Sequence, residues 1–127
     1  MPPSATFALP RDVRAPYVAR IVLRDLLASR AWASAKDAEL VVSELVANAV
    51  EHGAGEIALT LWLAEGRIRG EVTDTGTGPP PRLPGPDEVA TGGRGLMIVD
   101  ALSDRWGAAG SPSRVWFEMT TTREDDV

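Results

Sequence analysis

The 127-residue chain has no cysteine, which excludes a disulfide framework, a thiolate metal site and a cysteine nucleophile. It has one histidine, His52, so a zinc site built on several histidines is excluded and little remains from which to build a Ser-His-Asp triad. Acidic residues outnumber basic ones 18 to 13, and the net charge of −5, with a pI near 4.8, has the wrong sign for holding nucleic acid electrostatically. No apolar run approaches the ~20 residues of a membrane span, since the longest, at 57–64, is broken by Thr60. Met1-Pro2-Pro3-Ser4 shows no basic stretch leading into an apolar core, so no secretory signal is visible. Apolar residues at 44% and charged residues at 24% are ordinary for a globular protein, and the length suits one core. What remains is an acidic domain expected in the cytoplasm, away from membranes.

Residues 1–11 hold three prolines and little periodicity, and they read as an N-terminal arm. A single domain is expected at 12–121, followed by an acidic tail at 122–127. Val18, Ile21, Val22, Leu26 and Leu27 recur mostly at helical spacing, with Pro16 near the start, where a missing N–H costs little. A second helix is predicted from Ser34 or Lys36 to His52. Val41, Val42, Leu45, Val46, Ala49 and Val50 form its apolar face, and Gly53 stops it. The period then changes to two: the large aliphatics of residues 57–63 fall on odd numbers, and residues 67–74 return after a Glu65-Gly66 turn as a hairpin.

Residues 75–93, rich in glycine and proline, are too long for a simple connection and read as a functional lid or a disordered segment. A third helix is predicted from Gly95 to about Arg105, with Leu96, Ile98, Val99 and Leu102 inward. A short strand at 105–109 and a last strand at 115–121 complete the chain. The pattern predicts an α/β (α+β) two-layer sandwich. Its sheet is mixed and mostly antiparallel, with about three helices on one face.

Three places carry candidate chemistry, and each admits a plainer reading. Glu44, Asn48 and His52 stand at i, i+4 and i+8 on the second helix. An amide oxygen suits Mg²⁺ beside phosphate oxygens, and a carboxylate one turn away can take a proton from a hydroxyl. The same stripe also fits a solvated helix boundary, with His52 complementing the helix dipole. Asp74, counted by twos from Ile68, faces the apolar side of the sheet, where the exocyclic amine of a purine would satisfy it; alternatively Asp74 opens a turn. Gly76 and Gly78 follow at once and leave room for close approach. Thr91-Gly92-Gly93-Arg94-Gly95-Leu96 precedes a helix whose N-terminal N–H groups suit phosphate, with Arg94 as a charged donor; it also fits a hinge.

Taken in order, these segments resemble the gyrase, chaperone, histidine-kinase and mismatch-repair (GHKL) ATP-binding superfamily, with its Bergerat-type fold. More narrowly they are similar to the anti-sigma-factor serine kinases of Gram-positive bacteria, especially the short actinobacterial members. The N box is matched by residues 39–53, the first glycine box by Asp74-Thr75-Gly76-Thr77-Gly78, and the second by Gly93-Arg94-Gly95-Leu96 through Val99-Asp100. Arg105-Trp106-Gly107 and Val115-Trp116-Phe117-Glu118 match the closing strands, so the resemblance spans about residues 12–120. It implies ATP and Mg²⁺ as cofactors, with Asn48 on the metal and Asp74 on the adenine amine. Gly76 and Gly78 would give the base room, and Thr91, Gly93, Arg94, Gly95 and Leu96 would hold the phosphates. Glu44 is the implied general base of a protein serine/threonine kinase.

The implied substrate is an anti-anti-sigma (STAS-type) protein, and the kinase otherwise sequesters a sigma factor, as a homodimer with no direct nucleic-acid contact. The alternative is a catalytically idle nucleotide-binding module that acts by sequestration alone. One departure is Gly110-Ser111-Pro112-Ser113-Arg114, where relatives often carry a glycine with a hydroxyl or lysine; Ser113 keeps the hydroxyl that would support adenine.

Overall fold

A computed structural model describes residues 4–28, 36–64, 66–79, 82–83, 95–110 and 112–120. Within them run β1 (Ser4–Leu9), α1 (Ala15–Ala28), α2 (Lys36–His52), β2 (Ile57–Ala64), β3 (Arg67–Thr73), α3 (Gly95–Leu102), β4 (Arg105–Gly110) and β5 (Ser113–Thr120). The strands form one five-stranded sheet in the order β1-β2-β3-β5-β4. The expected two-layer sandwich is present, and every strand pairing is antiparallel.

Alternation along the strands decides which face is covered. Ile57, Leu59, Leu61 and Leu63 of β2 all point to one side and are buried. The register carries that stripe across the sheet: Leu59 pairs with Val72 and Val72 with Val115, while Leu61 pairs with Gly70 and Gly70 with Phe117. Gly70 is required here because a Cβ on it would overlap the ring of Phe117, a fully buried side chain.

The helices close over this face. α1 buries Ala15, Ala19, Leu23 and Leu27, each four residues apart, and α2 buries Val41, Val42, Leu45, Val46 and Ala49. Burying each large aliphatic side chain contributes about 1.5–3 kcal/mol, so this layer is the main source of stability. α2 touches both other helices and the central strands, and an Arg24–Glu39 ion pair at 2.6 Å ties it to α1. None of the described helices is long and apolar enough to cross a membrane.

Three expectations are corrected. The arm over 1–11 is, from Ser4 to Leu9, an edge strand paired with β2. Its inward residues are Ala5, Phe7 and Leu9, and alanine in two of the six positions blurs the alternation that marks a strand. α3 ends at Leu102 rather than near Arg105, because the sheet holds the next residues. The Asp104 N–H donates to Glu118 O at 2.9 Å, and Asp104 Oδ2 accepts the Thr120 N–H and hydroxyl at 2.8 and 2.6 Å. Ile98 is not in the core; it is half-buried and faces the cleft described below.

The far side of the sheet has no described helix against it. There Arg69 stacks between two indoles, 4.6 Å from the ring centre of Trp116 and 5.5 Å from that of Trp62. Beside it Glu118 accepts hydrogen bonds from Arg105 at 2.7 Å, Arg69 at 2.9 Å and Arg67 at 3.3 Å. These bonds, those of Arg105 foremost, hold the Glu118 carboxyl below its ordinary range.

Candidate functional site

Between α2, α3 and the ends of β3 and β5 lies a cleft of about 700 Å³. Eight of the residues to which the resemblance gives a role line it, beside His52 and Gly53 at the end of α2. Glu44 and Asn48 come from α2, Asp74, Gly76 and Gly78 from the chain after β3, Gly95 and Leu96 from the start of α3, and Ser113 from the start of β5. Thr91, Gly93 and Arg94 lie outside the described residues, as does most of the expected lid.

Asp74 organises one end. β3 stops at Thr73, yet Asp74 keeps the strand's inward direction and is only 6% exposed. Both readings of this residue therefore hold at once: it opens a turn, and its carboxylate faces the interior. Oδ1 accepts the Gly76 N–H at 2.7 Å, the Asx turn that an Asp-x-Gly sequence favours. Oδ2 lies 3.4 Å from Nη2 of Arg11. Burial of a carboxylate is costly without such partners.

Glycines make the space. A Cβ on Gly53 would overlap Asp74 Oδ2, and one on Gly76 would sit 2.9 Å from Oδ1. Gly53 does end α2 as expected, but the need for glycine there comes from Asp74. The left-handed residue of the turn is Gly55, at φ 73°.

Backbone bonds lock this end together. The Asp74 N–H donates to Ser113 O at 3.1 Å, and the Ser113 N–H donates to Gly76 O at 2.9 Å. Thr75 donates to Ala54 O from both its N–H and its hydroxyl, at 2.9 and 3.0 Å. Gly78, by contrast, has no atom of a described residue beyond its chain neighbours within 4 Å of where a Cβ would stand, so the cleft is open beside it.

The other end is built from side chains. Glu44 and Asn48, one turn apart on α2, line the cleft, and neither is hydrogen-bonded through its side chain to another described residue. A Cβ on Gly95 would sit 2.7 Å from Glu44 Oε2, so the first turn of α3 lies directly against that carboxylate. The start of α3, a carboxylate and an amide thus border one space. His52 lies at the end of α2 with Nε2 3.5 Å from Glu51 Oε2, largely exposed, which suits a residue complementing the helix dipole.

A family model described as a histidine kinase-like ATPase domain matches residues 8–120. The chain belongs to the histidine kinase-like ATPase family. Among solved structures, the RsbU and RsbW domains of Rv1364c from Mycobacterium tuberculosis are similar, with a TM-score of 0.72 and 25% sequence identity. That match covers 95% of this chain and 32% of the other, so the chain spans about a third of that protein's length. No curated protein matches.

Membership of an ATPase family implies ATP binding, and the residues of the cleft are of a kind that fits ATP. The volume lies within the range of small-molecule pockets, and the open space beside Gly78 adjoins a buried acceptor that can take a purine amine. In this ATPase-family cleft the sequence reasoning passed over Arg11, which backs Asp74, and Arg82, which lines the wall. Neither carries a periodic signal, because both lie in connections whose placement is set by tertiary packing. It also gave Gly53 only the role of a helix stop, although its position facing Asp74 could be anticipated only from the folded chain.

Proposed function

We propose that this chain is an ATP- and Mg²⁺-dependent protein serine/threonine kinase of the anti-sigma-factor type. It phosphorylates an anti-anti-sigma protein of the STAS type and otherwise sequesters a sigma factor, acting in the cytoplasm as a homodimer. The observation that carries this reading is the pairing of Glu44 and Asn48 on one face of α2, directly against the start of α3. Similarity to the RsbU and RsbW domains supports it.

In this reading Asp74 accepts the adenine exocyclic amine, Gly76 and Gly78 give the ring room, and the Ser113 hydroxyl supports it. Thr91, Gly93, Arg94, Gly95 and Leu96 surround the phosphates. Among the described residues no group of three or more His, Cys, Asp and Glu could hold a metal by itself. The donor set is instead one amide plus the phosphate oxygens and water, which suits a hard ion such as Mg²⁺ and not zinc. Mg²⁺, when bound, neutralises charge on the phosphates. Asn48 contributes the protein's ligand.

Glu44 accepts the proton of the substrate hydroxyl. As that oxygen bonds to the γ-phosphorus, the bond from phosphorus to the bridging oxygen breaks and ADP departs. Loss of a general base costs roughly 10²–10⁴-fold in rate, so Glu44→Gln should lose transfer of radiolabelled phosphate from ATP to a candidate anti-anti-sigma protein by about that factor. ATP affinity, read by calorimetry, should stay within about twofold, since a base acts in the transition state. Nucleotide binding by the native chain with no transfer to any such partner would leave only the idle, sequestering module.

A further inference from the structure

We infer that Arg11 is a positioning residue for base recognition: it holds Asp74 from behind, and the preference for an amino purine depends on it although it lines no part of the cleft. The inference rests on the reading that Asp74 takes the adenine amine.

Arg11 lies in the connection from β1 to α1, two residues after Leu9, which is buried against the core. Its guanidinium reaches across to the end of α2. Nη1 donates to Ala49 O at 2.7 Å and to Val50 O at 3.4 Å, and Nε donates to Gly55 O. Ala49 O also accepts the Gly53 N–H at 2.8 Å, so Arg11 adds a second donor there, and its bonds to Val50 O and Gly55 O tie the Gly53–Gly55 segment to the end of α2.

A capping role alone would need no more than those carbonyls. The remaining nitrogen, Nη2, points away from them and stands 3.4 Å from Asp74 Oδ2. It is fully buried and has no hydrogen-bond partner among the described residues, and the Asp74 side chain it faces is 1% exposed. A buried guanidinium nitrogen left in that state is costly, and the carboxylate is the group that compensates it. The planar fork of arginine lets one side chain serve the helix end and the carboxylate together, which a lysine ammonium cannot do in the same geometry. Arg11 therefore sets the position of Oδ2, while the Gly76 N–H sets that of Oδ1. The carboxylate is oriented before any ligand arrives.

The test compares ATP with purine riboside triphosphate, which lacks the exocyclic amine, by calorimetry on the full chain. The native protein should prefer ATP. Arg11→Gln should lose about tenfold in ATP affinity, the scale of one charge-assisted contact, with affinity for the amine-free analogue unchanged. Arg11→Lys should fall between the two. In the Asp74→Asn background Arg11→Gln should cost nothing further for ATP, since the two act as one unit.

Equal losses for both nucleotides in Arg11→Gln, or no loss for either, would overturn the role of Arg11 while leaving that of Asp74 in place. No preference for ATP in the native chain would instead overturn the reading of Asp74, and the inference with it. Should Arg11→Gln fail to fold in a thermal melt, Arg11→Lys decides: selectivity equal to native removes Arg11 from base recognition, and reduced selectivity supports it.

Discussion

The two ends of the cleft are made differently. At the Asp74 end the protein satisfies itself: an Asx turn, backbone bonds from Ser113 and Thr75, and glycines at 53 and 76 place a buried carboxylate with little freedom. At the Glu44 end the side chains of Glu44 and Asn48 enter the space with no described partner. One end is bonded within the protein, and the other presents side chains that no described residue engages. In the proposed reading, the Asp74 end would offer a fixed shape for selecting the base, and the Glu44 end would stay adjustable for the phosphates.

That contrast can be broken at either end. The largest effect is expected from Asn48→Ala. Residues that merely support a metal cost 10–100-fold in affinity, and a direct ligand should cost at least that for Mg²⁺-dependent ATP binding. Binding of adenosine without metal should be unchanged; an equal loss of adenosine would show that Asn48 holds the fold of the cleft and not the ion.

The converse variant is Gly53→Ala. Its new methyl group meets Asp74 Oδ2, and overpacking of this kind costs about 1–3 kcal/mol, read as a lower melting temperature. Adenosine affinity should fall about tenfold whether or not Mg²⁺ is present, if about 1.4 kcal/mol of that cost falls on the carboxylate. Unchanged adenosine affinity would mean that the Asp74 end is more yielding than its bonding suggests.

The smallest effect lies away from the cleft. Arg105 and then Arg69 depress the Glu118 carboxyl, and the Thr120 hydroxyl and N–H depress that of Asp104. A group whose folded pKa lies below its unfolded one stabilises the protein above the unfolded value, and the gain is lost as pH falls through the folded one. Stability should therefore begin to decline below the ordinary values of 4.5 for Glu118 and 3.8 for Asp104. Asp104 is exposed, as are Arg67 and Arg105 that pair with Glu118, so the loss is small; Glu118→Gln should flatten part of it in acid melts without altering adenosine binding.

Much of this was legible in the sequence, for reasons that differ by residue. Glu44 and Asn48 share a face because the helical period places i and i+4 together, and Asp74 turns inward because strand alternation carries one step past Thr73. Periodicity says nothing of β1, where alanines dilute the pattern, nor of where α3 yields to β4, which the Asp104–Thr120 bonds decide. It is equally silent on Arg11, whose role depends on residues 38 to 63 positions further along the chain. Local signals located groups that line the cleft; the groups that hold them were legible only in the folded molecule.

The outer surface of the sheet carries one more consequence. With described helices on one face only, the other face of the sheet presents two half-buried tryptophans that would form a sticky patch. Wedging the Arg69 guanidinium between them, with Glu118 bridging to its neighbours, gives the solvent a charged veneer over the indoles. Stripping that veneer by Arg69→Ala would leave the core as it is and expose a surface prone to self-association.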